Sequence, residues 1–137
     1  MATIKAQLEI IEQQLGIHLP SHYKKAMENY PFTPIDNLDF VEDNLVKDFE
    51  WLVRENTDLI KFGFFGNSWP RHLFAIGHDG FGNYIFINLE SDDEEVFIAD
   101  HEVEFDPKAL HEMLLASNFK EYINSCIEQQ IDVVKNA

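Results

Sequence analysis

Two histidine and carboxylate pairs are the residues in this chain best suited to chemistry: His78-Asp79 in "GHDGFG" and His101-Glu102 in "ADHEVEF". A neutral imidazole can ligate a metal or accept a proton, and a neighbouring carboxylate can orient it. Successive side chains on a strand point to opposite faces, so His78 and Asp79 meet on one ion only if the turn twists them together. His101-Glu102 would begin a zincin helix, but that motif needs a second His at position 105, which is Phe105. His18, His22, His72 and His111 fall on separate expected elements.

The nucleophiles lack activating company. Cys126 lies on the apolar stripe of an expected helix with no basic neighbour to lower its pKa, so packing is the better reading. Ser68 precedes Trp69-Pro70 and lacks the Gly-x-Ser-x-Gly elbow. Asp92-Asp93 belongs to the polar run "SDDEE", which offers no apolar pocket to raise one carboxyl pKa for hydrolysis. "GHDGFG" does not follow the dinucleotide order Gly-x-Gly-x-x-Gly, and no helix is expected after it. No catalytic, metal or cofactor site is expected. Asp79, Gly80, Gly82 and Asn83 are read instead as a structural turn, with Asp79 bonding its own backbone and the glycines taking positive φ.

The elements that position this turn can be read from periodicity. Ile4, Leu8, Ile11 and Leu15 form one helical stripe that ends where Gly16 can cap it. Pro20-Ser21 opens a second helix with Tyr23, Ala26, Met27 and Tyr30 inward, stopped by Pro31 and Pro34. A short strand is expected near Ile35 or Phe40, then a helix after Asp43 or Asn44 with Leu45, Val46, Phe49, Leu52 and Val53 inward. From Leu59 onward the Phe-, Ile- and Gly-rich texture predicts the start of the sheet.

Strands are predicted over Leu73 to His78, Asn83 to Leu89 and Val96 to Ala99. In the second, Ile85, Ile87 and Leu89 face one way and Tyr84, Phe86 and Asn88 the other, so both faces of the sheet are at least partly covered. Asp106-Pro107 predicts a helix to about Ala116. Ser117-Asn118 caps a last helix that lies on the sheet through Phe119, Tyr122, Ile123, Cys126, Ile127, Gln130, Ile131 and Val134. With no repeat, low-complexity run or linker, residues 1–137 read as one α+β domain: a mostly antiparallel sheet of about four to six strands, packed by N-terminal and C-terminal helices.

The formal charge of −15, from 25 acidic against 10 basic residues, repels phosphate backbones and anionic lipid, so nucleic acid and membranes are poor partners. A basic protein is favoured, with the acidic field setting approach rate and selectivity. The partner-binding residues expected are Asp36, Asp39, Glu42, Asp43, Asp92, Asp93 and Glu94 for the acidic rim, and Trp69 among the aromatic anchors, with Trp51, Phe81 and Tyr84 as further candidates. One cysteine, no signal-peptide pattern and no apolar window of membrane length point to the cytoplasm.

The succession "LGIHLPSHYKKAMENY", Trp-Pro, "FAIGHDGFGNYIFINL", an acidic break, "VFIADHE" and "SNFKEYI" resembles the SUKH superfamily, which groups the fungal cell-wall assembly regulator with bacterial immunity proteins. The resemblance runs through about residues 5 to 130 and rests on Leu15, Gly16, Leu19, Pro20 and Tyr23, then Asp79, Gly80, Gly82 and Asn83. The chain departs from it at Asn29-Tyr30-Pro31, where the family often has Asn-Gly-Gly. The resemblance implies binding without catalysis: neutralisation of a toxin encoded nearby, as in polymorphic toxin systems. The other reading is a regulatory scaffold of the fungal kind; such regulators carry long disordered flanks, of which this sequence has almost none, so the immunity reading is the one expected.

Overall fold

The computed structural model describes residues 3–29, 46 and 48–135. Helix α1 spans Ile4–Leu15, and the Thr3 hydroxyl accepts from the Ala6 N–H at its start. Gly16 closes it in the left-handed region at φ 66°, donating its N–H to the Glu12 carbonyl. The Glu12 carboxylate then secures the link to α2 (Ser21–Asn29): it accepts from the Leu19 N–H at 2.8 Å and pairs with the Lys24 ammonium at 3.0 Å.

Helix α3 (Phe49–Phe62) leads to the strands β1 (Leu73–His78), β2 (Tyr84–Asn88), β3 (Val96–Ala99) and β4 (Leu114–Ala116), and α4 (Phe119–Lys135) ends the described chain. The four strands form an antiparallel sheet in the order β1-β2-β3-β4, with Tyr84 opposite both His78 and Ala99. The fold is α+β.

Period-two alternation in the strands separates two cores. Phe74, Ile76, Ile85, Ile87 and Val96 face α1, α2 and α4, meeting Leu8, Ile11, Tyr23, Met27, Phe119 and Cys126. Leu73, Ala75, Phe86, Phe97 and Ala99 face the other way, onto Phe64, Trp69 and Phe105 from irregular segments. Each fully buried Leu, Ile or Phe contributes about 1.5–3 kcal/mol, so both layers hold the sheet in place between them. Helix α3 runs along the β1 edge, giving Leu52 to the first core and Leu59 to the second.

Three segments differ from the sequence expectation. The helix expected after Asp43 or Asn44 begins at Phe49, because the Asp48 carboxylate accepts from the Glu50 and Trp51 N–H groups and caps it there. Val46 lies before it, bonding the Ile76 carbonyl with its N–H. The sheet does not start at Leu59: α3 continues through Phe62, since Leu52, Asn56 and Leu59 form a buried stripe that a polar residue at 56 concealed. The helix expected from Asp106 to about Ala116 is a capped turn and one 3-10 turn, Leu110–Met113, followed by β4. The 3-10 turn buries no residue, whereas Leu114–Ala116 gains the open side of β3. The strand expected near Ile35 or Phe40 falls outside the described residues, as do Tyr30 and Leu45.

Candidate functional site

The β1–β2 turn is held by side chains. Asp79 Oδ1 accepts from the Phe81 N–H at 2.8 Å and the Asn83 N–H at 3.4 Å, and Oδ2 accepts from Asn83 Nδ2 at 2.7 Å. Burial works against the charge of Asp79, but these donors prevail and hold its carboxyl below the usual range. Gly80 and Gly82 take φ 82° and 92°, a region closed to most side chains. Because Asn83 gives its amide nitrogen to Asp79, its oxygen faces His101, accepting from the backbone N–H at 2.9 Å and meeting Nδ1 at 2.7 Å. The ring nitrogen must then carry the proton.

His78, the residue most suggestive of chemistry, is occupied: its Nδ1 accepts from the Gly80 N–H at 3.1 Å, and its ring packs 5.3 Å from Trp51. Asp79 and His101 meet on opposite ends of the Asn83 amide, which separates them, while the His78 ring turns to Trp51. Among the described residues no three His, Cys, Asp or Glu side chains are arranged to hold a metal ion. Cys126 is buried, and that burial pushes its thiol up to about 11 despite a bond from Tyr122.

Beside this turn lies a cleft of about 380 Å³, lined by Trp51, Glu55, Phe65, His78, Asn83 and Tyr84. Trp51 and Glu55 stand one turn apart on α3 and so share a face. The Tyr84 hydroxyl donates to Glu55 Oε1 at 2.7 Å, and the Arg54 Nε donates to Oε2 at 3.2 Å. Burial, and then the Glu55 carboxylate, push the Tyr84 phenol above its usual value. The open lip of the cleft is Phe65, on a turn closed by reciprocal bonds between the backbones of Phe64 and Asn67 at 2.7 and 3.0 Å. With Phe65 at φ 45° and Gly66 at φ 86°, this is a type I′ turn.

The expected partner-binding residues are not gathered in one place. Asp92, Asp93 and Glu94 are exposed on the loop between β2 and β3, at the opposite end of β2 from the glycine turn. Glu94 lies 3.9 Å from His22, yet burial outweighs it and lowers the His22 pKa. Asp36, Asp39, Glu42 and Asp43 lie outside the described residues. Trp69 requires a correction: it is 3 % exposed, stacked on Phe105 at 4.9 Å, with its Nε1–H donated to the Leu73 carbonyl at 2.9 Å. An indole whose face and donor are both engaged inside cannot anchor a partner. Phe81, by contrast, is exposed, and Trp51 and Tyr84 are half-buried in the cleft wall.

Sequence reasoning missed Phe65, Phe62 and Glu55. The signal for Phe65 was the string "FGFFGN": a Phe directly before Gly, where a type I′ turn favours Asn or Asp.

No helix among the described residues is long and apolar enough to cross a membrane. The family model described as SMI1 / KNR4 family (SUKH-1) matches residues 4–125. The chain is also similar to the SPbeta prophage-derived uncharacterized protein YokK of Bacillus subtilis (strain 168). The two are 24 % identical over 152 residues, covering 94 % of this chain and 77 % of that protein. No solved structure matches it.

Proposed function

Because this chain belongs to the SMI1/KNR4 family (SUKH-1), we propose that it is a non-enzymatic, cytoplasmic protein-binding module, an immunity protein that neutralises a cognate toxin. Residues 1–137 act as one such domain. One observation carries the choice of partner: a charge of −15 on a protein of this family. A nuclease surface is basic because it must hold phosphates, and a carboxylate-rich protein can occupy the same groups without making or breaking a bond. The acidic residues Asp92, Asp93 and Glu94, with Asp36, Asp39, Glu42 and Asp43, contribute to the field that draws a basic toxin in.

Co-expression tests this reading. The chain should rescue cells from the C-terminal toxin domain encoded beside its gene, and purified partners should associate more slowly as salt rises, with dissociation changing less. Binding to several unrelated partners with no protection would favour the regulatory scaffold. Turnover of a small substrate by the isolated chain, lost on replacing His78 or His101, would end the non-enzymatic reading.

A further inference from the structure

Three phenylalanines stand out of the molecule at the end of the sheet where β1 turns into β2: Phe62 is 72 %, Phe65 65 % and Phe81 78 % exposed. Phe65 and Phe62 share one hollow with Asp58 and Tyr84, and Phe65 also borders the cleft whose far wall is Gly80 and Gly82, on either side of Phe81. A single exposed aromatic is ordinary; Phe65 in the cleft wall, with Phe62 in the adjoining hollow and Phe81 between the two wall glycines, marks a contact surface.

Phe65 is the most telling of them. A bulky residue at φ 45° is strained, and the second position of this turn suits Asn, Asp or Gly better. The strain brings the fold little burial, because most of the side chain faces solvent. What it does bring is display: the ring is fixed against Phe64 at 4.8 Å and His101 at 5.4 Å, at the tip of a two-residue turn. Backbone strain that holds an exposed aromatic in place is a feature of binding surfaces.

The chemistry of the cleft selects the occupant. Its walls are the rings of Trp51, His78, Tyr84 and Phe65, and its carboxylate is Glu55, with Asp58 in the adjoining hollow. Aromatic faces attract cations, and the chain's own Lys61 already places its ammonium 5.1 Å from the Phe62 ring. The planar guanidinium stacks on rings and pairs with carboxylates, which an ammonium does less well. Arg54 touches Glu55 only at the exposed edge of α3, a pair weak enough for an incoming guanidinium to replace.

We propose that the cleft between α3, the Phe65-Gly66 turn and the β1–β2 turn docks an arginine side chain from a basic segment of a partner protein, set among Trp51, Tyr84 and Phe65 and paired with Glu55. This rests on the reading of the chain as a binder of basic proteins, and it puts the anchor point at this cleft in place of the buried Trp69. The Asp92 to Glu94 loop contributes attraction at a distance, while the aromatic end determines how long the partner stays.

A blocked hexa-arginine peptide titrated into the labelled full chain, followed by amide and indole NMR, tests it. Shifts should concentrate on the Trp51 indole N–H and on Phe65, Gly80 and Gly82, with hexa-lysine binding more weakly. Glu55→Gln and Phe65→Asn should each weaken binding by about tenfold or more, the loss expected of an interface anchor. Phe65→Asn should melt no lower than the parent, because Asn accepts the positive φ, so lost binding cannot be put down to misfolding. Shifts spread evenly over the acidic loops, or unchanged affinity in both variants, would overturn the site. Variants that still bind a cognate toxin as tightly as the parent would also overturn it and leave the immunity reading standing.

Discussion

The side-chain amide of Asn56 bonds both backbone groups of Ala75: Oδ1 accepts from the Ala75 N–H at 2.7 Å, and Nδ2 donates to the Ala75 carbonyl at 3.0 Å. It stands where a fifth strand would, on the outer edge of β1, and gives its second proton to the Leu52 carbonyl at 2.8 Å. Asn56→Ala leaves buried backbone groups without partners, each worth about 1–3 kcal/mol, so a loss of about 3 kcal/mol is expected. Urea unfolding should show a lower midpoint with an unchanged slope. A loss under about 1 kcal/mol would mean that solvent reaches this edge.

Tyr23 makes the opposite case. Its ring is fully buried, edge-on to Phe74 at 5.7 Å and Phe119 at 6.1 Å, while its hydroxyl has no hydrogen-bond partner among the described residues. That burial pushes the phenol far above its usual pKa. Tyr23→Phe keeps the packing and removes an unsatisfied polar atom, so it should be neutral or stabilising by up to about 1 kcal/mol. Thermal melts of the two proteins settle the sign.

Asp79 makes the β1–β2 turn acid-sensitive. Its carboxyl titrates lower in the folded chain than in the unfolded one, so its contribution is complete above the unfolded value of about 3.9 and is lost as pH falls through the folded value. Asp79→Ala should cost on the order of 1 kcal/mol at neutral pH, the net worth of the bonds removed. Below the folded value the difference between the two proteins should shrink, as a series of urea midpoints against pH would show.

His22 acts in the same direction at higher pH. Burial lowers its folded pKa below 6.5, with Glu94 opposing, so the unfolded chain takes up the proton first and stability falls as pH drops through that window. Glu94→Gln removes the opposing charge and should lower the His22 titration midpoint further, measured by NMR of the ring protons.

Legibility followed the kind of signal involved. The stripe Ile4, Leu8, Ile11 and Leu15, the alternation in Tyr84 to Leu89 and the glycine turn were readable because local chemistry alone dictates them. The start of α3 at Phe49 was not, since Asp43, Asn44 and Asp48 are all competent caps and tertiary packing selects among them. The strand at Leu114–Ala116 was hidden by the Asp106-Pro107 helix signal, and only the unpaired side of β3 overrides it. Trp69 was misplaced for a related reason: aromatic composition marks anchors and cores alike, and only burial separates them. Phe65 was readable in principle, but only by asking why a turn that favours Asn should carry a Phe.

The sheet's two margins are protected by different means. Beside β1, Asn56, Trp69 and Val46 occupy main-chain groups that could otherwise recruit another molecule. At the far margin, "LLA" has no charge or proline to discourage stacking, and its safeguard is brevity. A relative that lengthened this segment by one apolar repeat would acquire a sticky border and a tendency to form fibres. At this margin the shortness of a three-residue strand is what limits recruitment of a further strand.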